Sequence, residues 1–159
     1  MKSYLLALLL VASLPCAQAN SLTCPDLATV VQVGTCPTDE ELKYTFTGYC
    51  SDDARAYRGE TDVCTDFQRY RKMKNVAMWE SADGVFDGYV SCELPKESLK
   101  AAKLSGMRVG KQGKVTLLIC SYGNGVSFNY RTRDQCTVDS GADCSANAAS
   151  CKASCEATP

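Results

Sequence analysis

Two early segments of the chain have the pattern of strands. Residues 27–33 (LATVVQV) are rich in β-branched side chains and lie between turn-forming residues, so a short strand is predicted. In residues 42–50 (LKYTFTGYC), every second side chain is apolar from Leu42 to Phe46, which predicts a half-buried strand. The polar segment 51–62 that follows is predicted to be a loop.

Two hairpins are predicted further along the chain. Residues 76–80 (VAMWE) and 85–92 (VFDGYVSC) flank an Asp-Gly pair that suits a tight turn. Residues 114–122 (KVTLLICSY) and 126–132 (VSFNYRT) flank residues 123–125 (GNG), whose Asn-Gly pair accepts the positive φ angles that such turns need. Because no βαβ pattern repeats, we expect an α+β fold with an antiparallel sheet of four to six strands.

One or two short helices complete this expectation. In residues 63–74, Val63, Phe67 and Tyr70 recur at helical spacing and predict a first short helix. Pro95 suits the first turn of a second helix, because its missing N–H costs nothing there. Gly106 is placed where it would end that helix in a left-handed conformation.

The last segment, residues 136–159, differs in composition from the rest. It is rich in Ala, Ser and Cys and has almost no large apolar side chain, so it cannot build a core alone. Cys144, Cys151 and Cys155 would share one face of a helix. We therefore predict a helical or irregular strap that cysteines hold to itself or to the domain formed by residues 20–135.

Residues 1–19 have the pattern of a signal peptide. Lys2 precedes a Leu-rich run without charge, and a small-x-small cleavage site ends at Ala19. The run is shorter than the roughly 20 residues that span a bilayer, and no later segment is apolar enough to do so. We expect cleavage after Ala19 and a secreted or periplasmic chain; an uncleaved anchor, a buried N-terminal helix and a lipid-modified Cys16 are the alternatives.

Ten cysteines follow the predicted cleavage site: Cys24, Cys36, Cys50, Cys64, Cys92, Cys120, Cys136, Cys144, Cys151 and Cys155. An even number of cysteines in an exported chain indicates a disulfide framework, here of five bridges. The spacing alone leaves the pairing open.

The chain contains no histidine, which excludes several kinds of site. Zinc sites of the Cys₂His₂ and Cys₃His types are impossible, and there is no CxxC pair. Cys151 and Cys155 have a spacing used by some copper carriers, but those sites usually recruit a histidine. Ser-His-Asp triads and Cys-His dyads are excluded in the same way. We therefore expect no metal and no cofactor.

The charge of the chain argues against a nucleic-acid partner. After loss of Lys2 with the signal peptide, 16 basic and 18 acidic residues remain, a net charge of −2. A dedicated binder of nucleic acid or of a membrane surface draws its affinity from excess positive charge. Basic residues concentrate in 55–74 and 96–114, which we interpret as solvated surface.

Three carboxylates cluster around the first predicted hairpin. Glu80, Asp83 and Asp87 lie near Trp79 and Tyr89 in the sequence. Paired carboxylates beside aromatic rings are what a glycoside hydrolase offers its substrate. A turn role for Asp83 and exposed strand positions for the other two explain the same residues without catalysis, so we assign no catalytic residue.

One segment resembles a known group of proteins. From Val76 to Cys136 the order is a tryptophan (Trp79), a Gly-aromatic strand, a short helix, and a strand that carries Cys120 and Tyr122 before a turn. This order resembles small exported proteobacterial domains of unknown function that share a C-x-Y strand. The likeness covers less than half of the chain, and because the group has no assigned activity it implies no site residue.

These features together predict a secreted, disulfide-rich binding or inhibitor module. Its expected partner is an extracellular protein or a glycan. A carboxylate-dependent extracellular hydrolase that acts on glycans, and a structural component of the envelope, are the alternatives.

Overall fold

A computed structural model describes residues 20–59, 62–139, 144 and 151–157. The predicted signal peptide, residues 1–19, lies outside this part of the chain. Within it, no helix is both long and apolar enough to cross a membrane.

The described residues form two antiparallel sheets. In chain order the strands are β1 (Asn20–Thr23), β2 (Val31–Gln32), β3 (Val76–Glu80), β4 (Asp87–Ser91), β5 (Leu104–Gln112), β6 (Val115–Tyr122), β7 (Ser127–Thr132), β8 (Gln135–Val138) and β9 (Lys152–Glu156). The larger sheet has the order β2-β3-β4-β7-β6-β5, and the smaller one has the order β1-β9-β8. The helices are α1 (Asp39–Cys50), α2 (Asp53–Tyr57), α3 (Phe67–Lys74) and α4 (Lys96–Lys100). The predicted α+β fold with antiparallel pairing is therefore confirmed; the second sheet is not foreseen by the sequence pattern.

One face of the six-stranded sheet, here called the inner face, forms the core. Along β6, buried and half-buried side chains alternate, so that Leu118 points inward with Phe128 of the neighbouring strand. The smaller sheet, α4 and the turn Leu27–Thr29 pack against this face and contribute side chains such as Ala153 and Leu99. The opposite side of the large sheet is called the outer face.

Helices α1, α2 and α3 form an insertion between β2 and β3. Tyr70 of α3 is buried, and its ring contacts those of Phe46 and Tyr49 in α1. The disulfide Cys50–Cys64 joins the end of α1 to the segment before α3. Helices α1 and α3 therefore share a small aromatic core of their own.

The strand predicted for residues 42–50 is wrong, because this segment is α1. Thr38 caps the helix: its hydroxyl accepts a hydrogen bond from the Glu41 N–H, while the Glu41 carboxylate accepts one from the Thr38 N–H. Leu42, Phe46 and Tyr49 then recur at helical spacing, and two of these rings contact α3.

Other early boundaries differ from the prediction in part. Only Val31–Gln32 of the strand predicted for residues 27–33 is a strand, because Asp26 caps a 3-10 turn at Leu27–Thr29. The loop predicted for residues 51–62 contains the short helix α2, Asp53–Tyr57. The helix predicted within residues 63–74 is confirmed from Phe67 onward as α3, whereas Val63 lies in a separate 3-10 turn, Asp62–Thr65.

The later predictions hold more closely. Both hairpins are confirmed as β3–β4 and β6–β7. The helix after Pro95 is confirmed as α4, but it ends at Lys100, and Gly106 lies inside β5 instead of ending the helix. Gly106 therefore has no capping role.

All ten predicted cysteines form disulfides. The pairs are Cys24–Cys120, Cys36–Cys92, Cys50–Cys64, Cys136–Cys155 and Cys144–Cys151. Two of these bridges, Cys136–Cys155 and Cys144–Cys151, lie within the C-terminal segment. Of the two predicted alternatives, the cysteines therefore hold the strap to itself and not to the rest of the domain. Its predicted helix is wrong where the chain is described, because Lys152–Glu156 is a strand between β1 and β8. The remainder of that predicted helix, 145–150, lies outside the described residues.

Candidate functional site

The outer face is open to solvent where its largest aromatic side chain lies. Tyr89 in β4 is 64% exposed, and Val31 in β2 is 50% exposed. The helical insertion borders this face at one end, where Val76 lines a small cleft together with Leu42 and Tyr70. Beyond that border the outer face presents a broad surface to solvent.

One row of cross-strand partners crosses all six strands of this face. In sheet order its members are Val31, Glu80, Asp87, Asn129, Ile119 and Arg108. Directly opposed side chains on one face lie within about 5.5 Å of each other at their Cβ atoms. The row therefore brings apolar and charged groups from six separate strands into one continuous strip.

Apolar side chains lie beside this row. Met78 and Tyr89 are cross-strand partners in the next row, and Leu117 lies next to Ile119 on the same face. Gly110 leaves space here: a Cβ at this position would lie 3.2 Å from Ile119 Cδ1. The side chain of Ile119 therefore leans over β5 and widens the apolar part of the face.

Charged groups lie among the apolar side chains. Arg131 Nη1 donates hydrogen bonds to both carboxylate oxygens of Asp87. Glu80 is the direct partner of Asp87 across β3 and β4. Arg108 Nη1 lies 3.8 Å from where a Cβ on Gly110 would be, at the far edge of the row. Apolar side chains and charged groups of both signs are therefore interspersed on this face.

The structure separates the proposed carboxylate cluster. Glu80, Asp87 and Tyr89 share the outer face, but Trp79 points to the inner face and is only 6% exposed. The carboxylate of Asp83 lies in the turn, where it accepts hydrogen bonds from the Ser81 hydroxyl and the Val85 N–H.

The hydrogen bonds from Ser81 and Val85 lower the pKa of Asp83 below its ordinary value. A general acid needs the opposite shift, so Asp83 is suited to holding the turn and not to proton transfer. The Trp79 ring, which a sugar would need beside the carboxylates, lies on the other side of the sheet.

The cysteines offer no metal site in the described ranges. Cys151 and Cys155, whose spacing resembles that of some copper carriers, bond to two different partners, Cys144 and Cys136. Within the described part of the chain, no three residues of the types His, Cys, Asp and Glu are grouped where they could hold a metal ion.

Sequence patterns alone identify few members of the outer face. Arg108 is missed because β5 is not predicted, although Met107 and Val109 alternate with polar residues around it. Ile119 is recognisable in the sequence only as part of an apolar run. The strand register is needed to bring these residues together.

Comparison with family models, with curated proteins and with solved structures finds no match for this chain. The proposed function therefore rests on the sequence and structure of this chain.

Proposed function

We propose that this protein is an extracytoplasmic binding module that holds a protein partner on its outer face, as an inhibitor does. The observation that supports this most directly is the exposed Tyr89 beside Met78, on the same face as Ile119, Arg131 and Arg108. Protein interfaces are enriched in aromatic residues, Met and Arg relative to the rest of the surface.

Export is part of this proposal. Five disulfides fit an oxidising compartment, because thiols stay reduced in the cytosol. The signal-peptide pattern in residues 1–19 supports the same location. The resemblance to small exported domains with a C-x-Y strand stays a prediction beside it.

A binding role has better support than hydrolysis of a glycan. Both oxygens of the Asp87 carboxylate already accept hydrogen bonds from Arg131 Nη1, so this carboxylate is engaged within the protein. The Glu80–Asp87 pair lacks a stacking ring from Trp79. The hydrolase remains the second hypothesis, and it predicts turnover of a glycan panel that Glu80→Gln abolishes.

Site-specific photo-crosslinking tests the proposed face. A photoreactive phenylalanine analogue replaces Tyr89, and in a control it replaces Tyr57, which is 91% exposed on α2. Each protein is illuminated with the extracytoplasmic fraction of the producing cells. We expect one discrete adduct from position 89 that excess wild-type protein suppresses and that Ile119→Arg removes.

Two results would contradict the proposal. One is an adduct from position 57 that matches the adduct from position 89, and the other is no suppressible adduct from position 89. A self-adduct would show that the face associates with a second copy of this chain and not with another protein. Circular dichroism and the thermal midpoint of Ile119→Arg confirm that this variant is folded before its result is read.

A further inference from the structure

A second surface, away from the outer face, has a different character. A cleft of about 600 Å³ lies among elements that cover the inner face of the large sheet. It is larger than the cleft beside Val76, which measures about 490 Å³. Its walls come from the segment after β1, the end of α4 and the following loop, β6 and β9.

The floor of this cleft is apolar and firmly held. Leu27 and Tyr122 are buried in it. The Tyr122 hydroxyl donates a 2.6 Å hydrogen bond to the Pro25 carbonyl, and the adjacent Cys24 is bonded to Cys120. Strand β6 thus holds Cys24 through a disulfide and Pro25 through a hydrogen bond, and these two residues form part of the opposite wall.

Tyr122 keeps its proton in this position. Burial, with a smaller contribution from the Asp26 carboxylate, raises the pKa of Tyr122 well above its ordinary value. The phenol therefore adds no negative charge to the cleft at physiological pH.

Three lysines line the cleft. Lys100 ends α4, Lys103 lies in the loop before β5, and Lys152 begins β9. Among the described residues, no carboxylate is within ion-pair distance of their ammonium groups. Asp26 also lines the cleft, but its Oδ1 already accepts a hydrogen bond from the Ala28 N–H.

The position of these charges is unusual for the chain as a whole. The protein carries a net negative charge, yet residues 96–114 hold six basic side chains and one acidic side chain. Two of the cleft lysines belong to that basic segment, and Lys152 adds a third ammonium from the distant C-terminal strap. Such a focus of positive charge at a concave surface raises the local concentration of anions.

We infer that this cleft binds a small amphiphilic anion, in which a carboxylate or phosphate group is attached to an apolar body. The lysine ammonium groups would attract the anion, and the floor of Leu27 and Tyr122 would receive the apolar body. The volume lies within the range of about 300–1,000 Å³ that is usual for small-molecule sites. The site uses none of the outer-face residues, so it stands apart from the proposed protein interface.

Titration calorimetry with three simple probes tests the site on the oxidised, mature protein. Octanoate carries both features, inorganic phosphate carries only the charge, and octanol carries only the apolar chain. We expect octanoate to bind at least about tenfold more tightly than either of the others, since both parts of the cleft contribute. We also expect the affinity to fall as salt is added, because exposed charges are screened.

Charge substitutions locate the binding. Lys103→Gln and Lys152→Gln should each weaken octanoate binding about fivefold or more at low salt. Lys114→Gln is the matched control, because Lys114 is exposed and lies outside the cleft lining. None of the three should change the crosslinking from position 89.

The outcomes are decisive in both directions. Absence of octanoate binding, or an equal loss with Lys114→Gln, would overturn the inference. Flotation with vesicles that contain phosphatidylglycerol distinguishes the source of the anion. Lysine-dependent binding to the vesicles would indicate a lipid headgroup, whereas octanoate binding without vesicle binding would indicate a free amphiphile.

Discussion

Gly88 lies against the backbone of β7 at the junction of β4 and β7, and its substitution tests the fold. A Cβ at this position would lie 2.4 Å from the Ser127 carbonyl oxygen and 3.3 Å from the Phe128 ring. The junction between these strands joins the β3–β4 hairpin to the rest of the large sheet. The outer face is continuous only if this junction closes.

Gly88→Ala should therefore be strongly destabilising. Overpacking of a core by one methyl group typically costs about 1–3 kcal/mol. Here the atom that the new methyl group meets belongs to the backbone, which cannot rotate away as a flexible side chain would. We expect a loss near the upper end of that range, about 3 kcal/mol. A loss of this size is a large fraction of the roughly 5–15 kcal/mol that stabilises a typical domain.

Gly48→Ala makes the same chemical change with the opposite expected sign. Gly48 lies inside α1, and a Cβ there would meet nothing within 4 Å. Alanine is favoured over glycine in a helix interior by about 0.5–1 kcal/mol, so this variant should be more stable than the wild type.

Urea unfolding of the oxidised proteins measures both changes. Trp79, the single tryptophan, is the cross-strand partner of Gly88 and reports on that junction by fluorescence. If the free energy of unfolding falls with urea concentration at the same slope in the variants and in the wild type, the shifts in midpoint reflect changes in stability. A Gly88→Ala protein within about 0.5 kcal/mol of the wild type would refute the close approach of β4 and β7, whatever Gly48→Ala does.

Two further predictions concern the wall of the cleft and the covalent framework. Tyr122→Phe removes the hydrogen bond to Pro25 and should lower the free energy of unfolding at pH 7 by about 1 kcal/mol. Because the pKa of Tyr122 is raised in the folded state, the wild type should lose stability faster than Tyr122→Phe as the pH rises above about 10, where the unfolded chain releases this proton. Parallel curves from pH-dependent urea unfolding would contradict this. Intact-mass analysis of protein from the extracytoplasmic fraction should give a chain that begins at Asn20. Alkylation without reductant should add at most two alkyl groups, and alkylation after reduction should add ten. Four or more free thiols before reduction would contradict the disulfide framework, and a mass that includes acylated Cys16 would contradict the location.

The parts of the fold that sequence reasoning predicts well have local causes. The β6–β7 hairpin turns at Asn124 and Gly125, whose φ angles are 62° and 70°, as an Asn-Gly pair allows. Gly84 has a φ of 70° in the other predicted hairpin. The information for each turn lies within a few consecutive residues, so no distant partner is needed to read it.

The errors arise where distant contacts decide between two patterns. In residues 42–50, Leu42 and Phe46 fit both a strand and a helix. The helix forms because Thr38 caps it and because Tyr70, far along the chain, receives the rings of Phe46 and Tyr49. The smaller sheet is missed for the same reason.

The smaller sheet pairs strands from the two ends of the described part of the chain. Its first strand pairs with β9, so that Asn20 faces Cys155 across the ladder. No local sequence pattern predicts the pairing of β1 with β9, and the strap has too few apolar side chains to predict a strand by itself. The disulfides Cys136–Cys155 and Cys144–Cys151 compensate for that small core by restricting the unfolded chain.

The carboxylate cluster illustrates that neighbours in the sequence need not be neighbours in a site. Trp79 and Glu80 are adjacent in β3, and adjacent residues of a strand point to opposite faces of the sheet. Glu80 and Asp87 are farther apart along the chain, yet the hairpin makes them direct partners. The period of two along a strand is therefore enough, from the sequence alone, to separate Trp79 from the carboxylates. The row from Val31 to Arg108 cannot be found in that way, because it depends on the register of five strand pairs at once.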